Sequence, residues 1–200
     1  MEIVKPSHKI LDYIDGGEIL RKIERCGRVA YKSEDKITEG SAKDFVAKII
    51  KSGHESVIEH VNITVKFICD RGVSHELVRH RLCAFTQEST RYCNYKTKGL
   101  KFVYPFEQIN GDSYWVEAMR VSEQCYNSLI GAGVSPQIAR SVLPNSLKTE
   151  IVVTTNLREW RHILKLRTSK AAHPQMRELM IPLLEEFKKL IPIIFDDIKE

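Results

Sequence analysis

The segment RHRLCAFTQESTRY, residues 79–92, concentrates groups that bind anions. Arg79, His80 and Arg81 stand together, and Ser89, Thr90, Arg91 and Tyr92 close the segment. A guanidinium is a planar fork of donors that matches the oxygens of a phosphate or carboxylate. Serine and threonine hydroxyls donate to the same oxygens. Each hydrogen bond to a charged group is worth roughly 1.5–3 kcal/mol, so a few of them hold a nucleoside monophosphate or a dinucleotide cofactor. A single arginine is more often a solvated surface charge. The grouping beside Ser89 and Thr90 shifts that balance for Arg79 and Arg91.

Other cations lie further along. Arg140 sits in SPQIARSVL, and Arg158, Arg161 and Arg167 lie on or just beyond one helix. Arg158 and His162 are four apart and share a helical face. Asn156 precedes that helix, and a helix N-terminus favours an anion; the plainer reading of the same face is solvated charge. His54 and His60 are six apart, and His75 and His80 are five apart. Neither spacing places two ligands on one helical face, so no metal site is expected. Cys83 lies near Arg79 and Arg81, which would lower a thiol pKa. No base stands at a telling spacing, and all five cysteines read as small buried hydrophobes. No glycine-rich phosphate loop occurs, so nucleotide binding must rest on side chains.

The elements that must carry these groups can be read from periodicity. Residues 19–31 read as a helix. Residues 41–53 read as another, with Ser41 as N-cap and Gly53 as stop. VNITVKFIC alternates, placing Val61, Ile63, Val65, Phe67 and Cys69 on one face of a half-buried strand. SHELVRHR reads as a short helix capped by Ser74, residues 112–130 as a longer helix, and 135–143 as a short one with Pro at its first turn. Residues 147–155 are β-rich. Asn156 then caps LREWRHILKLR, whose Leu157, Trp160, Ile163 and Leu164 form the buried stripe. The last helix runs from HPQM onward, with Pro182 expected to kink or restart it. Few strands among many helices imply an α+β fold.

Composition narrows the class. Of 200 residues, 42% are hydrophobic and 28% charged, and 31 Lys and Arg against 26 Asp and Glu give a formal charge of +5. One domain spanning 1–200 is expected. So mild a charge argues against a polyanion-coating protein but permits a local basic pocket. An odd number of cysteines without a CxxC pair fits reduced thiols, and no segment reads as a signal peptide or membrane span, so a cytoplasmic protein with no membrane partner is expected.

Arg79-His80-Arg81, seven residues, then Ser89-Thr90-Arg91 resembles the signature of the flavin-dependent thymidylate synthases. GHESVIEH before a strand, and ARSVLPNSLKTEIVVTTNLREW later, resemble that family's supporting segments, in the family's order, from about Gly53 to about His173. The resemblance implies an α+β fold with a mostly antiparallel sheet flanked by helices, in a homotetramer whose active sites form between subunits. It implies reductive methylation of dUMP to dTMP, with 5,10-methylenetetrahydrofolate giving the carbon and NADPH reducing FAD, and no cysteine nucleophile. By position, Ser56, Arg79, His80, Arg81, Gln87, Asn156, Arg158 and His162 would contact FAD. Glu76, Arg79, Gln87, Ser89, Thr90, Arg91, Arg140 and Arg167 would bind dUMP, with Arg167 stabilising the ionised uracil as the catalytic group. Ala84, Gln87 and Glu76 depart from residues common in the family; a carboxylate at 76 must face a ribose hydroxyl or bind through backbone. The competing reading is a small basic protein that binds single-stranded nucleic acid through cations interleaved with Phe85, Tyr92 and Tyr95.

Overall fold

The computed structural model describes residues 1–105 and 112–199. The strands are β1 (Glu2–Val4), β2 (Ser7–Ile10), β3 (Asn62–Asp70), β4 (Ala84–Gln87), β5 (Lys101–Val103) and β6 (Lys148–Asn156). The helices are α1 (Gly16–Arg28), α2 (Ser41–Lys51), α3 (Arg71–Leu77), α4 (Tyr95–Lys98), α5 (Asp112–Gly131), α6 (Pro136–Ala139), α7 (Leu157–Arg167), α8 (Pro174–Leu190) and α9 (Pro192–Phe195), with 3-10 turns among them, one at Glu55–His60. β2, β3, β6 and β4 form one sheet in that order, and β1 pairs with β5 in a second, parallel, with Ile3 opposite Phe102. The backbone of Leu157 bonds to Val61, the hydroxyl of Thr154 to that of Thr64, and the backbone of Arg71 to Leu147, the descending register of an antiparallel pair. The α+β expectation holds. Among the described residues, no helix is long and apolar enough to cross a membrane.

By their contacts the residues fall into two compact units. One holds Met1–His8, Lys66–Arg79 and Phe85–Val152; the other holds Lys9–Val65, His80–Ala84 and Val153–Glu200. In the first, Tyr95, Leu100, Phe102, Met119, Tyr126 and Leu147 form a buried cluster, with the Tyr95 and Tyr126 rings edge to face. Asp70 caps α3 by accepting the Val73 amide at 2.7 Å. That corrects the expected Ser74 cap: Ser74 lies within the helix and bonds back to the Arg71 carbonyl. Asp70 wins because it stands at the strand end, with an acceptor placed three residues ahead of an orphan amide.

In the second unit, α7 begins where Asn156 accepts the Glu159 amide at 2.9 Å, as expected. Its stripe is buried as expected, and Trp160 donates from Nε1 to the Ile63 carbonyl and meets Phe187 edge to face. In α8, Met176, Leu179, Leu183 and Phe187 recur on the buried face, while Pro182 points outward and the helix continues through it. Burial of that stripe outweighs the one amide the proline lacks. Ser41 is not the N-cap of α2, a place held by Gly40. Its hydroxyl instead donates to buried Glu24, which also accepts Arg28 at 2.7 Å. Gly27 permits this packing, because a Cβ there would meet the Phe45 ring at 2.7 Å.

Arg161 is 1% exposed. Its guanidinium donates to Glu55 at 3.0 Å, to both Asp197 oxygens at 2.6 and 2.7 Å, and to the Ile194 carbonyl. So α7, the 55–60 turn and the C-terminal residues share one buried cation. The Arg161 pairing holds the Asp197 carboxyl below its usual range. A group whose folded pKa is depressed stabilises above its unfolded pKa and loses that contribution as pH falls. Asp197→Asn is therefore expected to lower the unfolding free energy by about 1–2 kcal/mol at neutral pH, discounted for a half-exposed carboxylate. Urea titrations should show this gap closing as pH falls below about 4; a gap that persists unchanged in acid would contradict the ion pair.

Candidate active site

The junction of β6 with α7 places the first group of side chains. Asn156 accepts at the cap through Oδ1, and Arg158 and His162, four apart, take one face of the following helix. Both line a concavity of about 610 Å³ together with Leu82, Glu159 and Lys165, so their expected shared face is real. Arg158 pairs with Glu59 at 2.6 Å, an exposed contact worth little. Arg161, which the sequence presents as one more surface cation, borders the same concavity but is buried and paired with Glu55 and Asp197, so its role is structural.

His80 is buried, and its Nε2 accepts the Arg167 Nε–H at 3.0 Å. Its Nδ1 lies 3.5 Å from Glu159 Oε1, and the His162 ring stands edge-on with centroids 5.9 Å apart. Burial, the Arg167 guanidinium and His162 push the His80 imidazole down to about 4, so it is neutral at physiological pH. Accepting at Nε2 places its proton on Nδ1, facing the carboxylate. Burial also raises the Glu159 carboxyl. Ligand atoms of His80, Glu159 and His162 come within 4.8 Å of one another, a grouping that the sequence spacings did not reveal. Arg167 already takes the His80 Nε2 lone pair and adds a fixed positive charge, so the arrangement suits an oriented arginine better than a divalent cation. Arg81 is exposed, and among the described residues no acid pairs with it. Ser56, also exposed, lines a different concavity of about 1160 Å³ with Arg28, Tyr31, Lys48 and His54. Ser56 therefore does not line the concavity of Asn156, Arg158 and His162, although Glu55 and Glu59 of the same turn do.

The first unit holds the second group. Thr90 is buried and accepts Arg140 Nη1 at 3.0 Å, across 50 residues of sequence. Both line a concavity of about 290 Å³ with Arg71 and Ser141. Arg71 carries no signal in the sequence, because it follows the strand end Cys69-Asp70 outside the Arg-His-Arg run. Ser89 Oγ accepts the Arg91 amide at 3.3 Å. Arg91 is exposed and lies over the Tyr92 ring, and Arg79 is exposed with no ion pair among the described residues. Gln87 donates its amide to Ser74 and Thr149, at 2.8 and 3.2 Å. Glu76 is half-buried in α3. The expected cofactor residues fall in the second unit, apart from Arg79 and Gln87; the expected substrate residues fall in the first, apart from Arg167.

Cys69 and Cys83 are held as thiols. Burial raises the Cys83 thiol rather than letting the arginines lower it, and Cys69 is pushed up to about 12. Cys69 alone of the five is buried; Cys26, Cys83 and Cys93 are partly exposed and Cys125 is exposed, contrary to the expectation that all five are buried. Tyr95 is buried, so it cannot stack a base as the nucleic-acid reading required.

Arginines converging with hydroxyls in one place, and a neutral histidine bonded to an arginine in another, suit anionic ligands. Comparison with known proteins makes the class specific. Residues 9–193 match the model of the thymidylate synthase complementing protein family. The chain is 35% identical over 174 residues to the flavin-dependent thymidylate synthase of Pyrococcus furiosus, covering 84% of this chain and 71% of that one. It is 34% identical over 167 residues to that of Geobacter sulfurreducens, covering 82% and 72%. Its backbone superposes on the UMP/dUMP methylase PolB of Streptomyces cacaoi, bound with 5-Br dUMP, at a TM-score of 0.82, 24% identity and 98% and 96% coverage, a likeness of fold. The chain belongs to the flavin-dependent thymidylate synthase family.

The His80 pairing has a pH signature. Its folded pKa lies below the unfolded value of about 6.5, so its contribution to stability is complete above that pH and is lost as pH falls toward about 4. The excess stability of the native chain over His80→Gln should shrink across this window in urea titrations. An excess constant from pH 7 to 4 would contradict a neutral, Arg167-bonded His80.

Proposed function

We propose that this chain is a flavin-dependent thymidylate synthase that converts dUMP to dTMP, drawing carbon from 5,10-methylenetetrahydrofolate and reducing power from NADPH. The observation that carries the reading is the meeting of Thr90 and Arg140, distant in sequence, beside Arg71 on one concavity. Two guanidinium forks and a hydroxyl suit the phosphate of a nucleoside monophosphate. Ser89 and Arg91 extend that set, with Ser89 binding rather than attacking; Gln87, Arg79 and Glu76 would meet ribose and base.

FAD fits the donors of the second unit. Arg158, His162 and Lys165 border a concavity along α7 that Glu55, Glu59 and Glu159 also line, and a diphosphate there would draw Arg158 from its exposed pairing with Glu59. Asn156, Arg158, His162, His80 and Arg81 would hold it there, with Ser56, Arg79 and Gln87 completing the set. When bound and reduced by NADPH, FAD supplies the hydride. Arg167 sits beside neutral His80, whose lone pair takes the Nε–H and orients the fork that would meet the uracil oxygens. A preorganised cation there stabilises negative charge that develops on the ring.

Ser56 and the α7 residues border separate concavities, which favours a homotetramer whose active sites draw on neighbouring subunits. We also read the chain as one functional domain working in the cytoplasm, where five unpaired thiols persist.

The test is a product assay. Protein stripped of flavin should form dTMP from dUMP only when FAD, NADPH and 5,10-methylenetetrahydrofolate are all restored. Arg167→Ala should retain flavin yet lose on the order of 100-fold in turnover. Turnover without FAD, or no dTMP with every component present, would overturn the proposal; equal loss of flavin and turnover would remove Arg167 from its role.

A further inference from the structure

Glu88 lies between Gln87 and Ser89, both assigned to the substrate, and a bare carboxylate there would repel an arriving phosphate. The structure occupies it fully. Its backbone amide donates to the Glu150 carbonyl at 2.8 Å. Its Oε1 accepts the Tyr95 hydroxyl at 2.8 Å, and its Oε2 accepts Lys148 Nζ at 3.1 Å. Lys148 also donates to Glu150 at 2.6 Å, and Glu150 pairs in turn with Lys66. Burial draws the Lys148 ammonium down, but its hydrogen bonds with Glu150 and Glu88 more than reverse this and leave it raised. Lys148 therefore stays charged and remains the ion-pair partner of Glu88.

Tyr95 is equally committed. It is 6% exposed, its ring packs on Tyr126, and its amide donates to the Tyr126 hydroxyl at 3.2 Å. Burial, then the bond to Glu88, drives its phenol far above the ordinary range, so it remains a donor. The Glu88–Tyr95 bond thus closes residues 89–94 into a loop. Inside it, the Ser89 carbonyl accepts the amides of Tyr92 and Cys93, and Asn94 caps α4 by accepting the Lys96 amide.

We propose that Glu88, Tyr95 and Lys148 form a latch that holds the Ser89–Arg91 turn in its phosphate-binding shape before dUMP arrives. They are positioning residues: none need touch the substrate. A turn ordered during folding does not charge its ordering entropy to binding, so the latch should appear in substrate affinity rather than in the chemical step. The inference rests on the proposed assignment of dUMP to this turn.

Glu88→Gln keeps the shape and an acceptor for Tyr95 but loses the charged bond to Lys148. Tyr95→Phe removes one oxygen and keeps the buried ring, so it is the safer variant for folding. Both should be measured for dUMP KM, kcat, retained flavin and thermal midpoint. Each is expected to raise the dUMP KM on the order of tenfold, with kcat within about twofold and flavin retention unchanged. Joined in one chain, they should raise KM little beyond the larger single effect, as members of one unit do. A lower midpoint with unchanged dUMP KM in both variants, while the native enzyme turns dUMP over, would reduce the latch to a structural contact and overturn the proposal alone. A native enzyme that does not use dUMP would overturn the proposed function, and the latch with it.

Discussion

The antiparallel pairing of β3 with β6 governs the start of the helix that succeeds each strand. Each strand is nine residues long and ends on a side chain that caps a helix: Asp70 for α3 and Asn156 for α7. A strand with one buried face has a fixed register, since a slip of one residue would turn Ile63, Val65 and Phe67 outward. Fixed register fixes where the caps fall, and the caps set the phase of the helices. Arg158 and His162 gain their common face from one such junction, and Glu76 and Arg79 their places after the other.

The cations divide into two kinds by what they touch. Arg161, Arg28 and Lys148 are buried or half-buried and paired with carboxylates; Arg161 and Lys148 tie separate segments together, while Arg28 pairs with Glu24 within α1. Arg79, Arg81 and Arg91 are exposed, and no acid pairs with them among the described residues. Exposed guanidinium groups kept clear of nearby acids remain available for an anionic ligand. A formal charge of +5 conceals this division, because the structural cations carry their own counter-charges.

Local features are the ones legible in the sequence. The alternation of Val61 to Cys69 and the Asn156 cap depend on neighbours within a few residues, and both stand in the structure. The caps expected at Ser41 and Ser74 fail because a serine hydroxyl has competing partners, here Glu24 and the Arg71 carbonyl. Strands of three or four residues, such as β1, β2 and β5, leave too short a pattern to detect. The role of Arg161 is invisible in sequence, since its acids lie 106 and 36 residues away. The His80–Arg167 bond spans 87 residues, and no spacing rule reaches it. The candidate binding residues surface through the motif they resemble, while Arg71, outside that motif, surfaces only when the chain folds around Arg140 and Thr90.

The most direct measurement is a visible absorbance titration. The chain would be loaded with FAD, freed of excess flavin by gel filtration, and titrated with dUMP, then with UTP for comparison. Retained flavin bands that shift and saturate with dUMP, with a weaker response to UTP, are the expected result and place both ligands in one site. A chain that retains no flavin, or whose bands ignore dUMP, would contradict the assignment of these residues to a flavin-dependent methylation of dUMP.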